Sequence, residues 1–320
     1  MQKTTPLFVG LGLLIATATA AAAHTPPPPA RSPLATAAGH EINVSVQHYK
    51  YEEPDPVDIS IFGPKAGAEY TGTWLLSARR HWFAQVNARV TGGLTDYDGW
   101  CRPWQIAPSA TSPNGYALKL GDRSKCTESK DADWYAEGRA IIGKDLIGSA
   151  LSLSPFTGIG VRHLANGITG NPNFRTEEYL YVPVGATLRA KLSPTRAIEF
   201  TAEYDHLVRG WQTTRNSLLG GGTVPATSTT PAFTIGDFTD LSFKQRHGRA
   251  LRASATVPVT KRWSVAPYVT HWRVEDSSVA TGSVAYTVAN VTARGTLNAY
   301  EPLNTTIEAG VKIGFRFKTP

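Results

Sequence analysis

Residues 307–317 alternate apolar and polar side chains without a break. Every odd position from Ile307 to Phe317 is apolar, whereas Glu308, Lys312 and Arg316 occupy even positions. Successive side chains of a β-strand point to opposite faces of the strand. The pattern therefore predicts a strand with one apolar face and one charged face.

Similar patterns recur along the chain. We predict ten strands, at approximately residues 40–51, 66–78, 82–96, 132–143, 151–163, 177–192, 196–210, 243–257, 263–276 and 304–318. The connections between them alternate in length, with short ones at 78–81, 143–150, 193–195 and 258–262. The long ones are at 52–65, 97–131, 164–176, 211–241 and 277–303. Bacterial membrane barrels have this alternation, with short periplasmic turns and long extracellular loops.

The two faces of several predicted strands can be assigned. In residues 196–210, Phe200 and Tyr204 share one face, and Glu203 and Asp205 share the other. In residues 177–192, the valines at 182 and 184 oppose Tyr179, Tyr181 and Arg189. In a membrane barrel, the apolar face contacts lipid and the polar face lines the lumen.

The N-terminus predicts export. Lys3 precedes a charge-free stretch at residues 7–23, which ends in Ala-rich sequence with cleavage positions after Ala20 or Ala23. This arrangement is typical of a cleaved secretory signal. We therefore divide the chain into a signal peptide (1–23), a Pro/Ala-rich disordered lead-in (24–39) and a barrel (40–320).

Together these features predict an all-β protein with the architecture of a membrane barrel. Export, alternating connection lengths and a final apolar/charged strand all favour a transmembrane antiparallel up-and-down β-barrel of about ten strands in the bacterial outer membrane. A soluble β-sandwich is the alternative, in which the same apolar residues would form a core.

Three sequence segments resemble a family of proteobacterial outer-membrane β-barrel proteins, many without assigned activity. They are Tyr-Glu-Pro-Leu-Asn-Thr-Thr-Ile-Glu at 300–308 with the strand that follows, Tyr-Leu-Tyr-Val-Pro-Val-Gly at 179–185, and Glu-Tyr-Asp-His-Leu-Val-Arg-Gly at 203–210. The resemblance implies a barrel from about residue 40 onward and carries no catalytic residue over. It also implies that the aromatic-ended last strand is read by the barrel-insertion machinery, although Lys318, Thr319 and Pro320 follow Phe317 here.

The predicted lumen is rich in charge. Its charged residues are Arg89, Glu137, Arg139, Arg162, Arg189, Lys191, Glu199, Glu203, Asp205, Arg252, Glu308, Lys312 and Arg316. Barrels of about eight strands are already filled by side chains, and open pores appear near sixteen. We therefore favour a lumen plugged by ion pairs over a narrow, anion-selective pore.

Aromatic residues collect near the predicted strand ends. They are Trp82, Trp134, Tyr204, Trp263, Trp272, Phe315 and Phe317, with Tyr49 as a further candidate on the loop side. Aromatic girdles at the two membrane interfaces would explain this distribution.

The longest predicted loops provide the main candidates for partner binding. Cys101 and Cys126 lie in the 97–131 loop of an exported chain, which favours a disulfide. Two cysteines without clustered histidines do not make a metal site, and we predict no cofactor. The loop either presents a surface for a ligand, which the sequence does not identify, or folds over the mouth of the barrel.

The formal net charge of +7 has two interpretations. Export makes nucleic acid an improbable partner, whereas outer-membrane lipid and lipopolysaccharide are anionic. Ordinary solubility charge is the other interpretation.

Three functional hypotheses follow from the sequence. The first is a structural or surface-interaction role through the extracellular loops, without enzymatic activity. The second is a narrow porin-like channel for small anions. The third is a rim protease like the omptins, using Asp96, Asp98, Asp205 and His206, but adjacent residues such as Asp205 and His206 point to opposite faces of a regular strand.

Overall fold

The computed structural model describes residues 32–54, 58–77, 79–168 and 171–317. The predicted signal peptide, the first part of the lead-in and residues 318–320 lie outside this range. Among the described residues, no helix is long and apolar enough to cross a membrane.

Ten long antiparallel strands close into a barrel. They are β1 (Gly39–Glu53), β2 (Ile59–Ser77), β3 (Trp82–Cys101), β6 (Ser124–Lys144), β8 (Leu151–Ile168), β9 (Asn171–Ser193), β10 (Arg196–Thr214), β14 (Gly248–Pro258), β15 (Trp263–Val274) and β18 (Asn304–Phe317). Each strand pairs with the next in this order, and β1 pairs with β18 through Val44 and Ile313. The prediction of an up-and-down barrel of about ten strands is confirmed.

Shorter elements lie between the barrel strands. They are β4 (Trp104–Pro108), β5 (Tyr116–Leu120), β7 (Leu146–Ile147), a 3-10 helix (Asn216–Leu219), β11 (Gly222–Val224), β12 (Phe233–Gly236), β13 (Leu241–Gln245), β16 (Ala280–Val288) and β17 (Val291–Ala299). β13 pairs with the upper end of β10, so it prolongs β14 across a short break.

The barrel is apolar outside and polar inside. On β10, Phe200 and Tyr204 are 45% and 40% exposed, whereas Glu203 and Asp205 are 6% and 0% exposed. The last strand repeats this arrangement, with Ile313 exposed and Glu308 buried. Such a surface suits hydrocarbon and not water, so the chain is a transmembrane barrel of the bacterial outer-membrane type.

Several strands are far longer than a membrane requires. β3 has 20 residues and β9 has 23, whereas about 9–11 tilted residues span a bilayer. Residues 52–65 and 164–176, predicted as long loops, are therefore mostly strand. The apolar-outward pattern ends where the outer face meets water, although the backbone pairing continues beyond that point.

The remaining long connections fold together at the extracellular end. β11, β12, β16 and β17 form a four-stranded sheet, and β4 and β5 form a hairpin. Their shared core consists of Ile106, Phe233, Ile235, Val284, Tyr286, Val288 and Ala293. The Tyr286 hydroxyl also donates a hydrogen bond to the Tyr116 carbonyl at 2.6 Å. We call this assembly of β4, β5, β11, β12, β16 and β17 the loop cap.

Candidate functional site

Arg252 on β14 organises the centre of the lumen. Its guanidinium contacts Glu137 at 2.5 Å and Asp205 at 2.6 Å, and it lies 3.5 Å from Glu203. Arg139 completes the group with a 2.6 Å contact to Glu203. β14 and β6, which carry Arg252 and Glu137, lie four strands apart in a ring of ten. The Arg252–Glu137 contact therefore crosses the lumen.

Glu308 on β18 makes a second crossing. It accepts a hydrogen bond from Arg162 at 2.9 Å and from the Tyr135 hydroxyl at 2.6 Å, and it lies 3.6 Å from Arg89. β18 and β8, which carry Glu308 and Arg162, are opposite one another in the ring. All four side chains are buried.

A third crossing lies nearer the loops. Arg175 on β9 contacts Glu53 on the opposite strand β1 at 3.2 Å, Glu177 at 3.3 Å, and Glu301. The Tyr51 hydroxyl bonds to Glu53 and Glu301 at 2.9 and 2.8 Å. Asp133 on β6 also accepts hydrogen bonds inside the barrel, from Lys65 on β2 and from Asn166 on β8.

At the periplasmic end, the segment that precedes β1 crosses the barrel. The backbone and hydroxyl of Thr36 donate to Asp145 at 2.7 and 2.6 Å, and Ser152 donates to the Leu34 carbonyl at 2.6 Å. Leu34 is 1% exposed. The sequence predicts a disordered lead-in as far as residue 39, but Leu34 and Thr36 of this segment are bound to the barrel wall.

The predicted lumen charges mostly lie where the pattern places them. Arg89, Glu137, Arg162, Arg189, Glu203, Asp205 and Glu308 are buried, and Arg139, Glu199, Arg252 and Lys312 are partly buried. Arg189 lies 3.4 Å from both Asp145 and Glu199, and Lys312 contacts Glu69 at 2.6 Å. Lys191 and Arg316 are exposed near the periplasmic mouth, where Arg316 lies 3.1 Å from Glu41.

Several lumen residues were missed from the sequence. They are Glu53, Lys65, Glu69, Asp133, Asp145, Arg175, Glu177 and Glu301. Glu53, Lys65, Arg175 and Glu301 fall in segments that were predicted as loops. The alternation of Asp133, Tyr135 and Glu137 on β6 is the signal that could have extended the inward face.

The predicted girdle needs one major correction. Trp82 and Trp263 are 38% and 48% exposed at the periplasmic side, and Trp263 packs on Phe315. Trp272, in contrast, is 1% exposed and packs inside the lumen against Tyr179 and Tyr181. Its register partner Ala250 is small and fully buried, which leaves room for the inward indole.

The other girdle residues divide between the two ends. Tyr204 is 40% exposed and Trp134 packs beside His163, both on the loop side of the outer face. Phe317 stacks on His40 at the periplasmic end, where Tyr70 and Trp74 also contact His40 and were missed. Tyr49, the further candidate, is fully buried in the lumen, with the Lys65 ammonium 3.1 Å from its ring centroid.

The loop cysteines form a disulfide between Cys101 and Cys126. It joins the upper ends of β3 and β6, beside a surface cluster in which Lys125 and Trp100 both donate to Asp58 at 3.3 Å. These hydrogen bonds, with the charge of Lys125, lower the pKa of Asp58 below its ordinary value.

The residues of the rim-protease hypothesis do not meet. Asp96 and Asp98 are exposed on β3. Asp205 points into the lumen against Arg252, whereas His206 is exposed on the outer face of β10. Within the described part of the chain, no group of three or more His, Cys, Asp or Glu side chains is placed to hold a metal ion.

Comparison with known proteins gives structural similarity only. No protein-family model matches the chain, and no curated protein matches it. The outer membrane protease OmpT from Escherichia coli aligns with a TM-score of 0.43 at 10% identity, over 87% of this chain and 97% of that one. The COG4313 outer membrane channel from Pseudomonas putida F1 aligns at 0.35 and 11%, over 92% and 100% of the two chains. The translocator domain of autotransporter NalP from Neisseria meningitidis aligns at 0.34 and 10%, over 88% and 90%.

Proposed function

We propose that the protein is a closed, rigid barrel whose extracellular loop cap is its interaction surface. The observation that carries this proposal is the contact between side chains of opposite strands. Glu308 meets Arg162 across the lumen, and Arg175 meets Glu53 at a second level. Buried ions are retained only where opposite charges and hydrogen bonds satisfy them, so these contacts favour a filled and stiff lumen.

The loop cap has features of a surface built for contact. It has its own apolar core, so its shape is fixed independently of the membrane. Leu120 and Val291 on cap strands, and Val279 next to β16, are 38%, 44% and 67% exposed. Contiguous apolar patches on a water-facing surface mark sites where partners bind, and we propose that these side chains contribute to such a patch. We propose a macromolecular or cell-surface partner for the cap, and the barrel-insertion machinery as the partner of β18 during assembly.

Conductance across planar bilayers tests the closed lumen. We expect wild-type protein to insert without stable single-channel openings. Stable, anion-selective openings would instead establish the narrow channel and remove the main support for a closed barrel. The heat-dependent mobility of the inserted protein on a gel must be checked in parallel, because the absence of channel openings is informative only if the barrel is folded.

Site-specific photo-crosslinking on intact cells tests the cap. A photoreactive residue at Val291 should form adducts that are absent when the same residue replaces Val311 on the lipid-facing side of β18. Equal adducts from both positions, or none from Val291, would contradict an interaction role for the cap.

The rim hydrolase has weaker support. Asp205 is committed to Arg252 inside the lumen, and His206 faces outward four strands away from the β3 aspartates. Proteolysis and lipid-hydrolysis assays with Asp96→Ala and Asp98→Ala as controls would test it directly. Loss of a wild-type activity in either variant would revive this hypothesis.

A further inference from the structure

Basic side chains collect on one sector of the outer face of the barrel. They are Arg209, Lys244, Arg246, Arg249 and Arg273, which we call the basic outer patch. Arg249 and Arg273 are register partners on β14 and β15, and Lys244 on β13 is the partner of Trp211 on β10. Neighbouring strands lie about 4.8 Å apart, so these side chains lie close together on the outer surface.

The patch carries uncompensated charge. Within the described residues, Lys244, Arg246 and Arg249 form no ion pair, and Arg209 lies over the Trp211 ring at 4.6 Å. One member of the patch is compensated, because Glu275 lies 3.1 Å from Arg273, and Glu178 lies 3.5 Å from His163 instead of from the patch. Arg246 and Arg249 therefore point to solvent or to a bound anion.

The patch lies at a definite height. Arg273 is ten residues beyond the periplasmic girdle residue Trp263 on the same strand. At about 3.4 Å per residue and a tilt of about 40–45°, this separation corresponds to about 25 Å along the membrane normal. The apolar band of such barrels is also about 25 Å tall, so the patch meets the headgroup layer of the outer leaflet.

The surface just below the patch is apolar. Leu251, Val269 and Ile307 on β14, β15 and β18 are 57%, 38% and 40% exposed. On the far side of the ring, at the loop end of β3, the outward residues are instead Asp96 and Asp98. The exposed Lys125 of that sector is paired with Asp58 and Asp98, whereas Arg246 and Arg249 form no ion pair among the described residues and border acyl-chain surface. General solubility charge would be distributed over both sectors.

We propose that the basic outer patch binds the phosphate groups of a phosphorylated glycolipid, the lipopolysaccharide of the outer leaflet. Arg246 and Arg249 would donate charge-assisted hydrogen bonds to phosphate oxygens, for which the planar guanidinium is well suited. The acyl chains would lie along Leu251, Val269 and Ile307. This inference concerns the lipid-facing wall and does not depend on the proposed role of the loop cap.

Binding of bisphosphorylated lipid A to the refolded barrel in detergent tests the proposal. Native mass spectrometry counts the bound lipid over a titration. The test variant is Arg246→Gln/Arg249→Gln, and the matched control is Lys261→Gln/Arg262→Gln, which removes the same charge from an exposed periplasmic turn. We expect the test variant to bind at least about tenfold more weakly, and the control to stay within about twofold of wild type.

Two further arms identify the source of the phosphate. Dephosphorylated lipid A should bind as weakly to wild type as lipid A binds to the test variant, and equimolar inorganic phosphate should not displace the lipid. Displacement by inorganic phosphate would overturn the assignment in favour of a free-anion site. An equal loss in test and control variants, or no loss in either, would overturn it in favour of nonspecific attraction.

The test variant is expected to fold, because both residues are exposed and neither guanidinium forms a hydrogen bond or ion pair with another described residue. Its heat-dependent mobility should match that of wild type. If the double variant fails to fold, Arg249→Gln alone replaces it, with an expected weakening of about threefold. Unchanged binding in a folded single variant would then count against the proposal.

Discussion

Arg252 and Arg249 lie three positions apart on the same strand, β14, and have opposite environments. Arg252 is surrounded by Glu137, Glu203 and Asp205 inside the lumen, whereas Arg249 is exposed on the outer face without an ion pair among the described residues. The direction of the side chain alone therefore separates a structural arginine from one that is available to a ligand. The same contrast holds between the lumen as a whole and the basic outer patch.

The largest expected effect comes from Arg252→Met. This change leaves Asp205 and Glu137 buried without their main cation, and removal of one partner of a buried ion pair destabilises by about 3–5 kcal/mol. Chemical unfolding of the barrel in vesicles measures the change. The matched variant is Arg249→Met, for which we expect about 0.5 kcal/mol or less. Similar losses in both variants would show that burial does not distinguish the two arginines.

An intermediate effect is expected where burial is partial. Glu69 and Lys312 are 2.6 Å apart, with side chains 16% and 20% exposed. A double-mutant cycle with Glu69→Gln and Lys312→Met should give a coupling energy of about 1–2 kcal/mol, between exposed and fully buried pairs. A coupling near zero would place this pair with the surface charges instead of the lumen.

The smallest effect is expected for a charge that is paired but exposed. Lys125 and Trp100 donate to Asp58, which lowers the pKa of that carboxyl group. Because the folded-state pKa is depressed, the contribution to stability is present above the unfolded-state pKa. It is lost as the pH falls through the folded-state pKa.

NMR titration of the Asp58 carboxyl measures this effect. The titration midpoint should move up toward the ordinary aspartate range in Lys125→Gln, because only the Trp100 hydrogen bond remains, while the unfolding free energy changes little. A midpoint that is unaffected by Lys125→Gln would show that the pair does not form in solution.

The inward faces of the central strands were predictable from the sequence because a period of two is unambiguous where one face meets lipid. Glu203 and Asp205 on β10, and Glu308 on β18, were assigned in this way and are buried. Trp272 was misassigned because the position of an aromatic near a strand end does not reveal its face. Trp272 lies two residues from Thr270 and therefore on the same face of the strand. Because Thr270 is polar and buried, this relation was the better guide.

The upper lumen could not be found from the sequence for a related reason. Above the lipid, both faces of a strand can be polar, so the position of Arg175 or Glu53 has no periodic signature. Only strand pairing beyond the membrane brings these residues together across the ring.

The loop cap presents the same difficulty in a stronger form. Ile106, Ile235 and Val284 come from three separate connections, and each connection alone looks like a polar loop. Their common core exists because the closed barrel brings the ends of β3, β10 and β15 to one rim. We therefore expect the cap to fold after the barrel, or together with it.

The sequence by itself determined the class of structure: a chain whose strands are apolar on one face and which closes into a barrel of about ten strands. Local periodicity is sufficient for this, because lipid enforces it residue by residue. Only the tertiary structure decided which charges meet across the lumen, which arginines remain exposed on the outer wall and which loops share a core. These features depend on ring closure and on the register between strands that are distant in sequence. A local pattern of apolar and polar residues does not specify which distant side chains meet.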